Sequence, residues 1–296
     1  MNEELFVRRL AGLFRQSKDV FTGIGDDAAA LDPGLPDGML LLAAADQVVE
    51  KIHFTPGTPP EKIAAKLLKR NLSDIAAMGG IPTHALVTVA LNPFREETLD
   101  AFHRGLSDCA DRANVSVIGG DSGALPEPGF TASLTILGRV RKDCLCLRSN
   151  AAEGDLLYAT GSFGNSFLSD WHLDFIPRLR EAHYLAGNYT CAMTDVSDGL
   201  AKDAARMAAA SGLAVTLDVS AVPLRAGATP EQALTEGEDY ELIFAVPPAS
   251  AAEMEKHWPF PGIPLTRIGR FHAGTPGEIR GLPDGICRGY DHFHED

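Results

Sequence analysis

The chain has little that would tie it to a membrane, a disulfide framework or a polyanion. No apolar run approaches the roughly 18 residues needed to span a bilayer, and Met1-Asn2-Glu3-Glu4 lacks the basic start of a secretory signal, so a cytoplasmic location without a membrane partner is expected. Its 5 cysteines are odd in number, and the one close pair, Cys144 and Cys146, lacks Cys-x-x-Cys spacing, which argues against a disulfide framework or a thiolate zinc site. The 9 histidines show no His-x-x-x-His spacing with a neighbouring glutamate, so a zinc protease is not indicated. Positive charge is also short: 26 basic residues against 40 acidic ones leave a net charge of -14, which repels nucleic acid and anionic lipid and points to small partners.

What is present suits an ordinary folded protein. With 45% hydrophobic and 22% charged residues the composition is globular, and 296 residues suit two domains at roughly 100–200 residues each. Short apolar runs at 39–45, 85–91, 115–118 and 134–137 alternate with stretches of helical period, an α/β rhythm. The clearest helix covers about 59–78, where Thr58 and Glu61 form a capping-box pattern, Ile63, Leu67, Leu68, Leu72 and Ile75 make one apolar stripe, and Gly79-Gly80 stops it. A small, polar stretch at 148–155 reads as a domain-entry turn, dividing the chain into 1–147 and 148–296. The second half offers strands near 156–160, 215–219 and 242–246 and a helix over 197–210 ended by Gly212.

The carboxylates recur beside glycines at strand ends: Gly23-Ile24-Gly25-Asp26-Asp27, Asp46 after 41–45, Asp74 in the helix, Gly119-Gly120-Asp121, Thr194-Asp195-Val196-Ser197-Asp198-Gly199, and Gly237-Glu238-Asp239-Tyr240-Glu241. Strand ends of α/β proteins converge on one cleft, and glycine lets backbone approach phosphate. Taken singly, each motif has a plainer reading as a turn, a helix cap or a solvated charge. Together they raise an electrostatic problem, since two like charges about 4 Å apart repel by about 4 kcal/mol at an effective dielectric near 20. The flanks are mostly Gly, Ala, Ser and apolar residues. Hard oxygen ligands supplied one or two at a time describe magnesium better than calcium or zinc, and a phosphoryl-transfer site follows.

The order of these motifs resembles the thiamine-monophosphate kinase family of the PurM-like ATP-binding superfamily, nearly end to end. The matching segments are Gly23-Ile24-Gly25-Asp26-Asp27-Ala28, Asp46-Gln47-Val48-Val49-Glu50-Lys51-Ile52-His53-Phe54, Asn71-Leu72-Ser73-Asp74-Ile75-Ala76-Ala77-Met78-Gly79, Gly119-Gly120-Asp121-Ser122, Asp195-Val196-Ser197-Asp198-Gly199-Leu200, 237–242 and Gly289-Tyr290-Asp291-His292-Phe293. The resemblance implies a two-domain α/β fold of α+β type, whose N-terminal domains pair in a homodimer through a β-barrel-like sheet. A C-terminal α/β domain would complete the cleft. It implies direct transfer of the γ-phosphoryl group of ATP to thiamine monophosphate, with several Mg2+ ions and no covalent nucleophile. By position, Asp27, Asp46, Asp74, Asp121, Asp195 and Asp198 match metal ligands, with Asp26 beside them. Gly120, Asp121, Arg148 and Ser197 match nucleotide contacts, and His53 and Glu238 match acceptor contacts. The chain departs from the family pattern at Ala44 and Ala45, where hydroxyl residues are usual, in a shorter 162–193 stretch, and at Cys287-Arg288, where an aromatic is expected. A related kinase acting on another small phosphate or alcohol, and a non-catalytic ATP-binding maturation partner, are the alternative readings.

Overall fold

The computed structural model describes residues 20–22, 26–32, 34, 38–283, 285 and 286. The final Gly-Tyr-Asp-His-Phe motif, Cys287 and Gly23 to Gly25 lie outside the described residues. The first half runs β1 (Val20–Thr22), β2 (Ala29–Leu31), β3 (Met39–Val49), α1 (Pro60–Ala77), β4 (Ile81–Asn92), α2 (Glu96–Ala113), β5 (Ser116–Ala124) and β6 (Gly129–Arg141). The second half begins with β7 (Leu156–Thr160), α3 (Trp171–Asp174), α4 (Leu179–Leu185), β8 (Met193–Asp195), α5 (Leu200–Ala210) and β9 (Ala214–Leu217). It continues with α6 (Pro230–Thr235), β10 (Leu242–Val246), α7 (Pro248–His257), β11 (Leu265–His272) and β12 (Ile279–Arg280). Among the described residues no helix is long and apolar enough to cross a membrane.

Two sheets result. The first has the order β1-β2-β3-β6-β4-β5, antiparallel except for the parallel β4–β5 pair. The second has the order β12-β9-β11-β7-β10-β8, antiparallel except for β12–β9. Helices α1 and α2 cover one face of the first sheet, where Leu67, Leu68 and Phe102 pack with Leu40, Leu42 and Ile136. In the second sheet Leu157, Ile243 and Phe271 pack with Ala204 and Met207 of α5. A third cluster joins the halves, with Ala76 and Ala77 of α1 against Tyr158, Leu185, Met193 and Phe244.

Helix α1 is the central element. Its apolar stripe packs on the first sheet as the 3.6-residue period dictates, yet Lys66, Arg70, Asn71 and Ser73 are buried as well. The helix is thus enclosed by both halves, and its polar side is an interior surface. Its start differs from the capping-box expectation. Pro59 is the N-cap and makes no side-chain cap bond, while the Thr58 hydroxyl donates to the Thr55 carbonyl at 2.8 Å. Pro60, with its fixed φ and missing N–H, opens the helix instead. Helix α5 likewise starts at Leu200, three residues later than expected, because Gly199 turns the chain at φ 116°. The Asp203 carboxylate, in its first turn, accepts from the backbone N–H groups of Ser197 and Asp198 at 3.1 and 3.0 Å.

The α1 contact with the sheet depends on close approach. A β-carbon at Gly138 in β6 would lie 3.0 Å from both the Ile75 Cδ1 and the Ile81 carbonyl oxygen. Ile75 is fully buried there, directly beside Asp74. Ile75→Ala should therefore lower the free energy of unfolding by about 2–5 kcal/mol, measured as a reduced midpoint in urea.

Candidate active site

Four elements that are distant in sequence bring three carboxylates together. Asp27 precedes β2, Asp74 lies in the last turn of α1 and Asp195 ends β8. Each offers an oxygen, and the three oxygens lie within 4.8 Å of one another. A 3-10 turn, Arg148–Asn150, supplies the fourth element. The Arg148 Nη2 donates to Asp27 Oδ1 at 2.6 Å, and the Thr194 hydroxyl donates to the same oxygen at 3.1 Å. Ser73 donates its hydroxyl to Asp195 Oδ2 at 2.6 Å, bridging α1 to β8.

These bonds leave the cluster short of positive charge. Burial, then Asp195, Asp46 and Asp27, push the Asp74 carboxyl well above its usual range. Burial and then Asp27 do the same to Asp195. Asp26, whose Oδ1 accepts from the Asp27 N–H at 3.0 Å, is raised to about 7 by burial and then by Asp27. Among the described residues, Asp27 Oδ2 is buried with no hydrogen-bond partner. Three hard oxygens facing one another and an orphaned carboxylate oxygen fit a divalent cation, which would hold all three groups ionised.

Other expected site residues are engaged by other partners. Asp46 has both oxygens taken by the Arg70 guanidinium, Nε to Oδ2 at 2.6 Å and Nη2 to Oδ1 at 2.9 Å. Asp198 is paired with Arg206 at 2.6 Å and Lys202 at 3.2 Å; burial opposes its charge, but these cations hold its carboxyl below the usual range. Asp121 stands on the edge strand β5, exposed, with Oδ1 accepting from the Ser122 N–H at 2.9 Å. Gly120 is beside it, where a β-carbon would fall 1.8 Å from the Val87 carbonyl oxygen of β4. Glycine there permits the β4–β5 pairing itself.

A pocket next to the triad is lined by His53, Arg70, Phe167, Ser197, Asp198, Glu236, Glu238 and Tyr240, with Ile52 at its rim. His53 Nδ1 accepts from the Val49 N–H at 3.0 Å, so its ring proton is on Nε2. Glu238 forms an ion pair with Lys66. The buried Lys66 ammonium also donates to the His53 carbonyl at 2.5 Å and to His172 Nδ1 at 2.9 Å, which uses all three of its protons. Burial lowers Lys66 to about 8 against the pull of Glu238. Burial and then Lys66 depress His172 to about 4, so it is a neutral acceptor.

The Gly237-Glu238-Asp239-Tyr240-Glu241 motif divides its labour by direction. Glu238 and Tyr240 have φ of 57° and 52° and face the pocket. Between them Asp239 turns inward to accept from Arg225 at 2.7 Å, Ser166 at 2.8 Å and the Gly164 N–H at 2.9 Å. Glu241 is held by Arg178 and, at 2.7 Å, by the Thr160 hydroxyl. Left-handed backbone at non-glycine residues costs of order 1–3 kcal/mol each, and these buried bonds keep it in place. Lys66, Arg70, Ser73, His172, Thr194 and Asp203 did not stand out in the sequence. The i, i+4, i+8 spacing of Lys66, Arg70 and Asp74 on one face of α1 was the signal for two of them.

Two family profiles match in tandem: AIR synthase related protein, N-terminal domain, over 25–140, and AIR synthase related protein, C-terminal domain, over 152–280. Fold and site thus define a two-part α/β protein of the AIR synthase related class. The chain is 38% identical to a thiamine-monophosphate kinase of Rhodopirellula baltica, covering 92% of this chain and 90% of that protein. It is 32% identical to one from Escherichia coli strain K12, with 93% of each covered. A solved structure of AaThiL complexed with AMPPCP and TMP superposes with a TM-score of 0.81 at 26% identity, covering 99% of this chain and 97% of that one. A hydrogenase maturation protein HypE in complex with ATP, at 20% identity and a TM-score of 0.67, covers 86% of this chain and 83% of that one and shares the fold. The chain belongs to the thiamine-monophosphate kinase family.

The charge imbalance has a measurable sign. Native Asp26 keeps its proton up to about pH 7, whereas an unfolded aspartate at 3.8 has lost it, so metal-free stability falls as pH rises through that interval. His172 opposes this chiefly below 6.5, where the unfolded imidazole gains its proton, and Lys66 only above about 8. The melting temperature of metal-free protein should therefore rise as pH is lowered from about 8 to about 6.5, and saturating magnesium should flatten the slope. Asp74→Asn, which removes one of the repelling charges, should raise the metal-free melting temperature and abolish most of the response to magnesium.

Proposed function

We propose that the chain is an ATP-dependent kinase that phosphorylates thiamine monophosphate to thiamine diphosphate. The observation that carries this reading is the convergence of Asp27, Asp74 and Asp195 beside Arg148 in a chain of this family. Magnesium held by the three carboxylates would screen donor and acceptor phosphates from one another and polarise the transferred group. Ser73 and Thr194 fix the carboxylate rotamers by donating to them. Arg148, assigned in this reading to the nucleotide, lies against Asp27. His53 and Glu238 line the pocket assigned to the acceptor, and the three-way bonding of Lys66 holds Glu238 in place. The hydroxyls beside the triad serve its carboxylates, which supports transfer in one step through a complex of both substrates.

An assay with ATP, magnesium and thiamine monophosphate should yield thiamine diphosphate without a phosphorylated enzyme intermediate. His53→Ala should raise KM for the acceptor by about tenfold, the worth of roughly 1.4 kcal/mol, while ATP binding survives. ATP binding without formation of thiamine diphosphate would favour a related kinase with another acceptor.

The proposal includes a homodimer. Every residue of β5 is exposed, and Leu86, Val117 and Ile118 stand 39–57% exposed on adjoining strands. An apolar edge of this kind, unpaired among the described residues, calls for a cover, and a second copy of the same strands would supply one. Sedimentation at micromolar concentration should find the dimer, and Ile118→Lys should shift the population to monomer.

A further inference from the structure

We infer that Arg70 anchors the acceptor's phosphomonoester group, with Asp46 as the residue that positions it. The inference rests on the kinase reading above and adds a residue to it. Arg70 is one helical turn before Asp74 and one after Lys66 on the same face of α1. At 1.5 Å rise per residue its Cα is about 6 Å along the axis from that of Asp74, which suits a group between the carboxylate triad and the pocket. Arg70 lines that pocket and is 9% exposed.

Its guanidinium is only half used. The Nε and Nη2 edge is locked on Asp46, whose Oδ1 also accepts from the Gln47 N–H at 3.0 Å, so the plane cannot swing. Among the described residues, Nη1 is buried with no hydrogen-bond partner. Glu238 Oε1 lies 3.7 Å from it, too far for a hydrogen bond, and is shared with the Tyr240 hydroxyl at 3.3 Å. A purely structural arginine would leave no donor unpaired, because a buried unsatisfied donor costs about 1–3 kcal/mol. A fixed planar fork with a spare N–H is the preferred partner of a phosphate oxygen, and its geometry is not reproduced by lysine. Ala44 and Ala45 contribute no side-chain oxygen beside Asp46, so the arginine is its cationic partner.

Calorimetric titration of wild type, Arg70→Met and Arg70→Lys with thiamine monophosphate, thiamine and a non-hydrolysable ATP analogue, all with magnesium, tests this. Arg70→Met should weaken thiamine monophosphate about 10- to 100-fold and leave thiamine and the nucleotide within about twofold. Arg70→Lys should lose less, again on the phosphorylated ligand alone, and KM should move more than kcat. Equal losses for thiamine and thiamine monophosphate, or no loss for either, would overturn the assignment. Should Arg70→Met fail to melt cooperatively, Arg70→Lys decides by the same comparison. A wild type that binds no thiamine monophosphate sinks the kinase reading separately. Inorganic phosphate then tests Arg70 alone: binding lost in Arg70→Lys supports the site, and binding unaffected by it refutes the site.

Discussion

Mutual repulsion among Asp27, Asp74 and Asp195 is the constraint to which the surrounding structure answers. Three carboxylates within 4.8 Å, largely removed from water, favour the unfolded chain unless something positive or a proton joins them. The protein supplies Arg148 at one corner and two hydroxyls, which fixes the geometry but leaves the charge unbalanced. Under the proposed function, that imbalance is what a bound cation would relieve. A cluster already neutralised by lysines would be more stable and would have no imbalance to relieve.

Holding such a cluster requires a rigid frame, and helix α1 is that frame. Its apolar stripe is sealed onto the first sheet by Ile63, Leu67, Leu68 and Ile75, and its C-terminal alanines are sealed against the second half. Between those contacts its polar side presents Lys66, Arg70, Ser73 and Asp74 to the interior in consecutive turns. One element thus borders the pocket of His53 and Glu238 with Arg70 and carries Asp74 of the carboxylate cluster one turn further on. The strained 237–241 segment is pinned from below by the bonds of Asp239 and Glu241, which is why Glu238 and Tyr240 can face the pocket without wandering.

Much of this was legible in the amino-acid order alone. Strands 156–160 and 242–246 appear with the expected bounds, because continuous apolar runs between turn residues have few other ways to be buried. Helix α1 was evident from its stripe and from Gly79-Gly80, although its cap was not: Thr58 found a closer partner in Thr55, and Pro60 needed no cap bond. Asp27, Asp74 and Asp195 stood out as carboxylates beside glycine or in an apolar setting, and their order along the chain carried the family resemblance. Those are properties of local sequence, where backbone conformation, period and side-chain chemistry suffice.

Which carboxylates meet was decided only by tertiary structure. Asp46 and Asp198 carry the same motif signal as Asp195, yet Arg70 holds the first, and Arg206 with Lys202 the second. Pairing of charges depends on distances between elements that no local pattern encodes. The same holds for Lys66 and Arg70, whose burial against the second half no feature of the local sequence announced. Sequence determined the elements, the carboxylate inventory and the family; the docking of two sheets around one helix decided which charges face each other, because electrostatic energy is set by separation and burial in space.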